Sequence, residues 1–321
     1  MQIQSIIDTT RHDALSLSVI MPSVLQDIDT LIRNVDTFFR YLPIKNIYVA
    51  APENVRAKIE SLNDRRLIFV CEDEFADVKR IRELYLSRTD KNPGRAGWYV
   101  QQFIKMAFSR FTKDEYYLIW DSDTIPLKPV SMFDDNSRPF FDMKTEYHRP
   151  YFATMGRLIP GLSKTAEGSF ISEHMVIKSS HMDEMLREIE SNPGIDGRNF
   201  QEKIINAADA EYLPGSGFSE FETYGSYVMS RHPDSYILRK WTSLRTFVRF
   251  YRDASDVDDV QRKWLSQCYD AVTIEKAQRY RAASILVRNR VFRKIFRPSV
   301  LERVAGKIHL LRRIYRFLRR R

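Results

Sequence analysis

The sequence predicts an α/β protein built on a mostly parallel sheet flanked by helices, followed by a basic helical extension. Three observations carry this. Short apolar runs alternate with stretches of helical periodicity through the first half of the chain, the pattern of a parallel sheet covered by helices. With 321 residues, 43% hydrophobic and 29% charged, the chain can bury a full core, and its 11 Gly and 13 Pro exclude collagen-like and low-complexity classes. Finally, the charge is unevenly placed. From Lys276 onward 16 Lys/Arg face one acid, Glu302, whereas residues 1–275 hold 35 bases and 41 acids. A domain over 1–275 and an extension over 276–321 follow from that split.

The elements come in order. Leu15 to Met21 is an apolar run stopped by Pro22 and reads as a buried strand. From Val24 to Tyr41, the residues Leu25, Ile28, Leu31, Ile32, Val35 and Phe38 recur at helical spacing. Ile47 to Pro52 is a second strand, Glu53 to Leu62 a helix, and Arg66 to Glu74 a third strand whose apolar half ends in acids. Asp77 to Gly97 is polar, contains Asn92-Pro93-Gly94, and is expected to be irregular or mobile. Trp98 to Phe111 is strongly helical, and YYLIW (116–120) is a strand running into a loop. Further on, His174 to Ser180 reads as a strand, and 182–190 and 200–208 as helices.

Cys71 and Cys268 match no zinc or CxxC spacing, which predicts two buried thiols in a reducing compartment. The opening MQIQSIIDTTRHDALS has no apolar core behind a basic start, so no secretory leader is expected. No stretch supplies the ~20 apolar residues of a membrane span. A soluble or membrane-peripheral protein is expected.

Chemistry concentrates where YYLIW ends. Asp121-Ser122-Asp123 leaves the sheet at its carboxyl edge, where ligands of open α/β sheets gather. In extended chain Asp121 and Asp123 point the same way, so two carboxylates can hold a hard divalent cation completed by substrate phosphate oxygens and water. Asp256-Val-Asp258 has the same spacing but precedes a helical stretch, where acids serve as caps.

The passages RAGWYVQQFIKMAFSRF and YYLIWDSDTIPLKPV, with the later EHMVI and FSEFETYGSYV, resemble the DxD core of GT-A glycosyltransferases. The likeness is to a bacterial family of DxD proteins from surface-polysaccharide gene clusters, and it runs from about Leu15 to Tyr236. It implies a GT-A-like, Rossmann-like fold and a nucleotide-sugar donor whose diphosphate is bound through Mn²⁺ or Mg²⁺ on Asp121 and Asp123. It further implies transfer to a glycan or lipid-linked acceptor in capsule or O-antigen synthesis. Such a cation stabilises the charge that develops on the leaving nucleoside diphosphate. By the same resemblance the nucleotide lies across the first strands, at Pro22 and Ser23, Ala51, and Asp73 or its neighbours Glu72 and Glu74. On the helix that follows, Trp98, Gln101, Gln102 and Lys105 share a side. Lys105 is then a partner for a phosphate or an aspartate of the motif, and the glutamines for a sugar or base edge; the plainer reading leaves these polar residues facing water while Val100, Phe103, Ile104, Ala107 and Phe108 form the buried stripe.

Glu220 and Glu222 are the candidates for a base that takes the acceptor hydroxyl's proton, although Ser219 to Glu222 also fits a capping box. His232 is a candidate third metal ligand, against the plainer reading of a solvated loop histidine, and His174 a candidate donor-sugar or acceptor contact.

After Pro298, the residues Val300, Leu301, Val304, Ile308, Leu311, Ile314, Tyr315 and Leu318 fall on one helical face with arginines on the others. That pattern suits an anionic membrane surface, and places the protein at the cytoplasmic membrane's inner face. Packing on the body or on a partner is the alternative; a nucleic-acid arm would not need the apolar residues, and nucleic acid is not expected as a partner. Two other functions compete with glycosyl transfer. A metal-dependent nucleotidyltransferase would want a Gly-rich loop where MPSVLQ (21–26) stands. A nucleic-acid-binding protein with a basic arm leaves the carboxylates unexplained.

Overall fold

A computed structural model describes residues 16–274 and 287–304. Within them the chain forms strands β1 (Leu17–Pro22), β2 (Ile44–Ala51), β3 (Leu67–Cys71), β4 (Tyr116–Trp120), β5 (Thr124–Pro126), β6 (Phe140–Met143), β7 (His174–Lys178), β8 (Ile237–Lys240), β9 (Ser243–Leu244) and β10 (Ala271–Thr273). The helices are α1 (Leu25–Tyr41), α2 (Arg56–Glu60), α3 (Val78–Arg88), α4 (Arg95–Phe111), α5 (Arg149–Leu158), α6 (Ser179–Ser191), α7 (Phe200–Ala207), α8 (Glu220–Arg231), α9 (Asp259–Leu265) and α10 (Arg290–Ile295). The mixed α/β architecture expected from the sequence is present. Two compact units divide it: one gathers 1–26, 43–121 and 131–240, the other 27–42, 122–130 and 241–321. Within the second unit β10 pairs antiparallel with β5.

The first unit is built on a five-stranded sheet of order β3-β2-β1-β4-β7. β1 pairs in parallel with β2 and β4, and β2 with β3, while β7 runs antiparallel to β4. Every residue of β1 is buried, as are the last four of β4, as expected of central strands with both faces covered. The chain moves outward from β1 to β3 and then returns to the other side of β1 with β4. The strand order therefore reverses between β1 and β4, which makes the crevice outside their carboxyl ends the place where such a sheet binds ligands.

Helix α4 shapes the core beside this point. Tyr99, Val100, Phe103, Ile104, Met106 and Phe108 are buried, and Phe103 meets Tyr99 and Phe200 at ring-centre distances of 6.3 and 6.0 Å. Truncating such a ring to alanine costs about 3–5 kcal/mol. Helix α8 approaches closely through Gly225, where an added Cβ would stand 2.4 Å from the Phe170 ring. A glycine in mid-helix is unfavourable in itself, and here the aromatic packing requires it.

The segment 77–97 differs from expectation. It holds α3, capped by Asp77, whose side chain accepts the Arg80 N–H, and anchored by buried Val78, Ile81 and Tyr85. Those three recur at helical spacing, and packing outweighs the polar composition around them. Both cysteines are half-buried rather than fully buried.

The second unit carries the three-stranded sheet β5-β10-β9. Here Asp258 caps α9 in a reciprocal box with Gln261, and Asp253 caps the 3₁₀ turn Ala254–Asp256 with Asp256 answering it. The second Asp-x-Asp is thus a helix-capping device, as its context predicts. Among the described residues no helix is long and apolar enough to cross a membrane.

Candidate functional site at the carboxyl edge of the sheet

Asp121 follows β4 directly. Its backbone N–H donates to the Glu173 carbonyl at 2.9 Å, which fixes its position at the edge of the sheet, and its side chain is 34% exposed. Register carries β1 alongside: Ile20 faces Ile119, so Pro22 lies level with Asp121. The switch point of the strand order therefore presents a carboxylate.

Behind that carboxylate lies a buried ion group. Lys105, on the inner face of α4, is 7% exposed, and its Nζ stands 2.8 Å from Asp121 Oδ1 and 2.9 Å from Glu220 Oε1. Burial pulls the Lys105 pKa down, but the two carboxylates outweigh it and hold the ammonium above its ordinary range. The Phe221 ring lies under the same ammonium at 4.7 Å. Glu220 is the first residue of α8, where a carboxylate suits the helix dipole, and its backbone N–H donates to Gln102 Oε1 at 3.0 Å. Three of the expected residues, Lys105, Asp121 and Glu220, are thus brought together, with Gln102 holding the end of α8. The Gln102 Nε2 is buried with no hydrogen-bond acceptor.

The two glutamates expected as candidates for a general base are both buried. Glu220 is 5% exposed and committed to Lys105. Glu222 is 1% exposed; its Oε1 accepts the Ser169 hydroxyl at 2.6 Å while Oε2 is buried without a partner, and burial pushes its carboxyl up. The capping half of the alternative holds, since Ser219 accepts the Glu222 N–H at 3.3 Å. The Glu222 side chain turns to Ser169 instead of closing the box.

Pro22, Ser23 and Ala51 stand at the carboxyl ends of β1 and β2, but their side chains are buried. Ser23 donates its N–H to Ala50 O at 2.8 Å and its hydroxyl to Met21 O at 3.3 Å. Asp73 is exposed in the 3₁₀ turn after β3, accepting from the Cys71 thiol at 3.9 Å. Trp98 and Gln101 lie half-buried on α4, with the Arg95 guanidinium 3.5 Å over the Trp98 ring. Asp123 is half-buried in the second unit, its carbonyl accepting the Ile274 N–H at 2.8 Å.

Both histidines have polar partners inside the protein. His174 is 2% exposed, its Nε2 lies 2.8 Å from Asp142 Oδ2 and its Nδ1 3.0 Å from Ser172 O, and its ring packs on Trp120 at 4.7 Å. Both of its nitrogens are thus engaged inside the protein. Asp142 also takes two bonds from Arg239, at 2.6 and 2.7 Å, and these partners hold its carboxyl below the usual range against the effect of burial. His232 closes the far end of α8, pairing with Glu184 at 2.8 Å and stacking on His181 at 3.7 Å. Twelve residues at ~1.5 Å each separate it by roughly 18 Å from the end of α8 that reaches Asp121 through Lys105, so it is no ligand of a cation there.

Glu173 was not among the expected residues. It has φ +64°, a left-handed conformation rare for a glutamate, and its buried carboxylate pairs with Lys144. No sequence spacing joins residues 144 and 173. A cleft of about 570 Å³ is lined by Asp77, Lys79, Arg80, Glu83 and Arg198, and Glu202 engages Arg80 and Arg198 at 3.1 and 2.6 Å.

Among the described residues no three His, Cys, Asp or Glu side chains converge as a metal cluster. The oxygen chemistry of an aspartate carboxylate suits a hard cation such as Mn²⁺ or Mg²⁺, with phosphate and water as further ligands.

Residues 16–265 match the Family of unknown function (DUF6492), and the chain belongs to that family. No curated protein matches it in sequence. Among solved structures it is similar to the galactosyltransferase LgtC in complex with donor and acceptor sugar analogs, at 10% identity and TM-score 0.35, over 80% of this chain and 86% of that one. It is also similar to the glycosyltransferase GlyE of Streptococcus pneumoniae TIGR4, at 10% identity and TM-score 0.32, over 81% of this chain and 54% of that one. Likeness at this level fixes neither activity nor substrate.

Proposed function

We propose that the protein is a metal-dependent glycosyltransferase that moves a sugar from a nucleotide-sugar donor to a glycan or lipid-linked acceptor of the kind built into bacterial surface polysaccharide. The observation that carries the reading is Asp121: a partly exposed carboxylate at the switch point of a mixed α/β sheet, backed by a buried lysine. Asp121 and Asp123 would hold Mn²⁺ or Mg²⁺, which when bound neutralises the charge gathering on a departing nucleoside diphosphate.

The chain's own residues account for the rest. Glu220 and Gln102 fix Lys105 and the end of α8, so Asp121 is held in one orientation before any ligand arrives. Such preorganisation removes a reorganisation cost at the moment of bond cleavage. Lys105 sets one positive charge between the carboxylates of Asp121 and Glu220, so the open carboxylate is braced from behind. The nucleotide would lie along the carboxyl ends of β1 to β3, meeting backbone groups at Pro22 to Ser23 and at Ala51, with Asp73 at the rim.

The test is thermal unfolding of the purified full chain with UDP-, GDP-, CMP- and dTDP-sugars, with and without Mn²⁺. The expected result is a metal-dependent rise with one nucleotide, absent in Asp121→Asn. Equal shifts for the variant, or none with any donor, would reject the assignment.

A further inference from the structure

We propose that the surface carried by residues 287–304 docks on an anionic lipid bilayer, with Val291 and Ile295 as its apolar anchors. The segment is fixed, not a trailing end. Val287 and Leu301 are wholly buried, Trp264 Nε1 donates to Phe296 O at 2.9 Å, and the Phe292 ring lies between Trp264 and Phe296 at 6.3 and 4.9 Å. Asn289 caps α10, accepting the N–H groups of Val291 and Phe292 at 2.8 and 3.1 Å.

What this platform shows to solvent is unusual. Val291 and Ile295, one helical turn apart, are 62% and 68% exposed, and Phe296 beside them is 45% exposed. A soluble helix ordinarily buries its branched apolar pair and leaves its charges outside. Here Phe292 and Arg293 are only half-buried, while Arg290, Lys294 and Arg297 stand exposed among the apolar residues. Glu302 is the one acid from residue 276 to the end, against 16 bases.

The occupant must therefore be oily and negative at once. A second copy of this surface would set cations against cations. A nucleic acid would take the arginines and leave Val291 and Ile295 wet. An anionic bilayer meets both demands, with acyl chains for the branched side chains and headgroups for the arginines. The apolar residues expected at 308–318 lie outside the described residues, and the docking surface does not depend on them. Nor does it require anything of the carboxyl edge, so it stands or falls apart from the transferase reading.

The experiment is sedimentation of the full chain with vesicles of phosphatidylcholine alone and of equal parts phosphatidylcholine and phosphatidylglycerol. Binding is expected to the anionic vesicles, weakening with salt. Val291→Ser/Ile295→Ser should lower apparent affinity about tenfold, and Lys294→Gln and Arg297→Gln about fivefold each at low salt. Both apolar positions are exposed, so the serine variant should keep the wild-type melting temperature. Equal binding to neutral vesicles, undiminished binding by the serine variant, or capture by duplex DNA with none by vesicles would each overturn the proposal.

Discussion

Two buried ion groups flank β7 and differ in which member meets solvent. In one, Lys105 and Glu220 are sealed at 9% and 6% side-chain exposure and the carboxylate of Asp121 is open at 34%. In the other, His174 and Asp142 are sealed at 2% each and the guanidinium of Arg239 is open at 29%. Burial and pairing alone do not mark a site, because both groups have them. The first turns a preoriented carboxylate toward the ligand edge of the sheet, whereas the second encloses its carboxylate completely and has nothing left for a cation or phosphate. The comparison separates a group arranged for binding from one that joins β6 to β7.

Substitution at the two aspartates should break the comparison most clearly. Asp121→Asn is expected to lower sugar transfer by about a thousandfold, near 4 kcal/mol of transition-state stabilisation. Its stability should change by no more than about 1 kcal/mol, because Glu220 still pairs with Lys105. Asp142→Ala should do the reverse: loss of about 3 kcal/mol of stability, since both His174 and Arg239 lose their partner, with donor binding intact in the folded fraction. Urea unfolding and single-turnover transfer on both variants check this. A large stability loss at Asp121 would make the first group as structural as the second.

Lys105→Met comes next in size. It leaves the carboxylates of Asp121 and Glu220 without their shared cation, and about 2–3 kcal/mol should be lost. Adding Glu220→Gln should recover roughly half, since the buried member of the repelling pair is then neutral. If the double variant is no better than the single one, packing of the lysine stem on Phe221, not charge, is what Lys105 contributes.

These contrasts also show what a sequence exposes and what it hides. The sheet was legible because each strand is a local apolar run, and Asp121 because acids follow such a run directly. The place of Lys105 on the same side as Gln102 followed from helical spacing. Helix α3 was hidden by its own charges and by Asn92-Pro93-Gly94, although Val78, Ile81 and Tyr85 kept the period. Partners far apart in sequence left no mark: Asp142 and Arg239 are 97 residues apart and Lys105 and Glu220 are 115 apart. A histidine's role depends on what its two nitrogens meet, and for His174 and His232 those partners come from distant elements.

The smallest expected effect lies at a third pair. His181 and His232 stack at 3.7 Å with an interplanar angle of 4°, and Glu184 bonds His232. Burial, with His232 and Lys178 adding to it and Glu184 opposing, lowers the His181 pKa from 6.5 to about 4. Between those values the unfolded chain binds a proton that the folded chain refuses, so stability should fall as pH drops from about 6.5 to about 4 and be fully present above. Half-buried and coupled to His232, the site is worth on the order of 1–2 kcal/mol across that window. His181→Gln should flatten the pH dependence of urea midpoints by that amount, and an unchanged profile would assign the acid sensitivity elsewhere. Asp121→Asn should leave the same profile unaltered, because the histidine pair sits at the far end of α8 from the carboxyl edge.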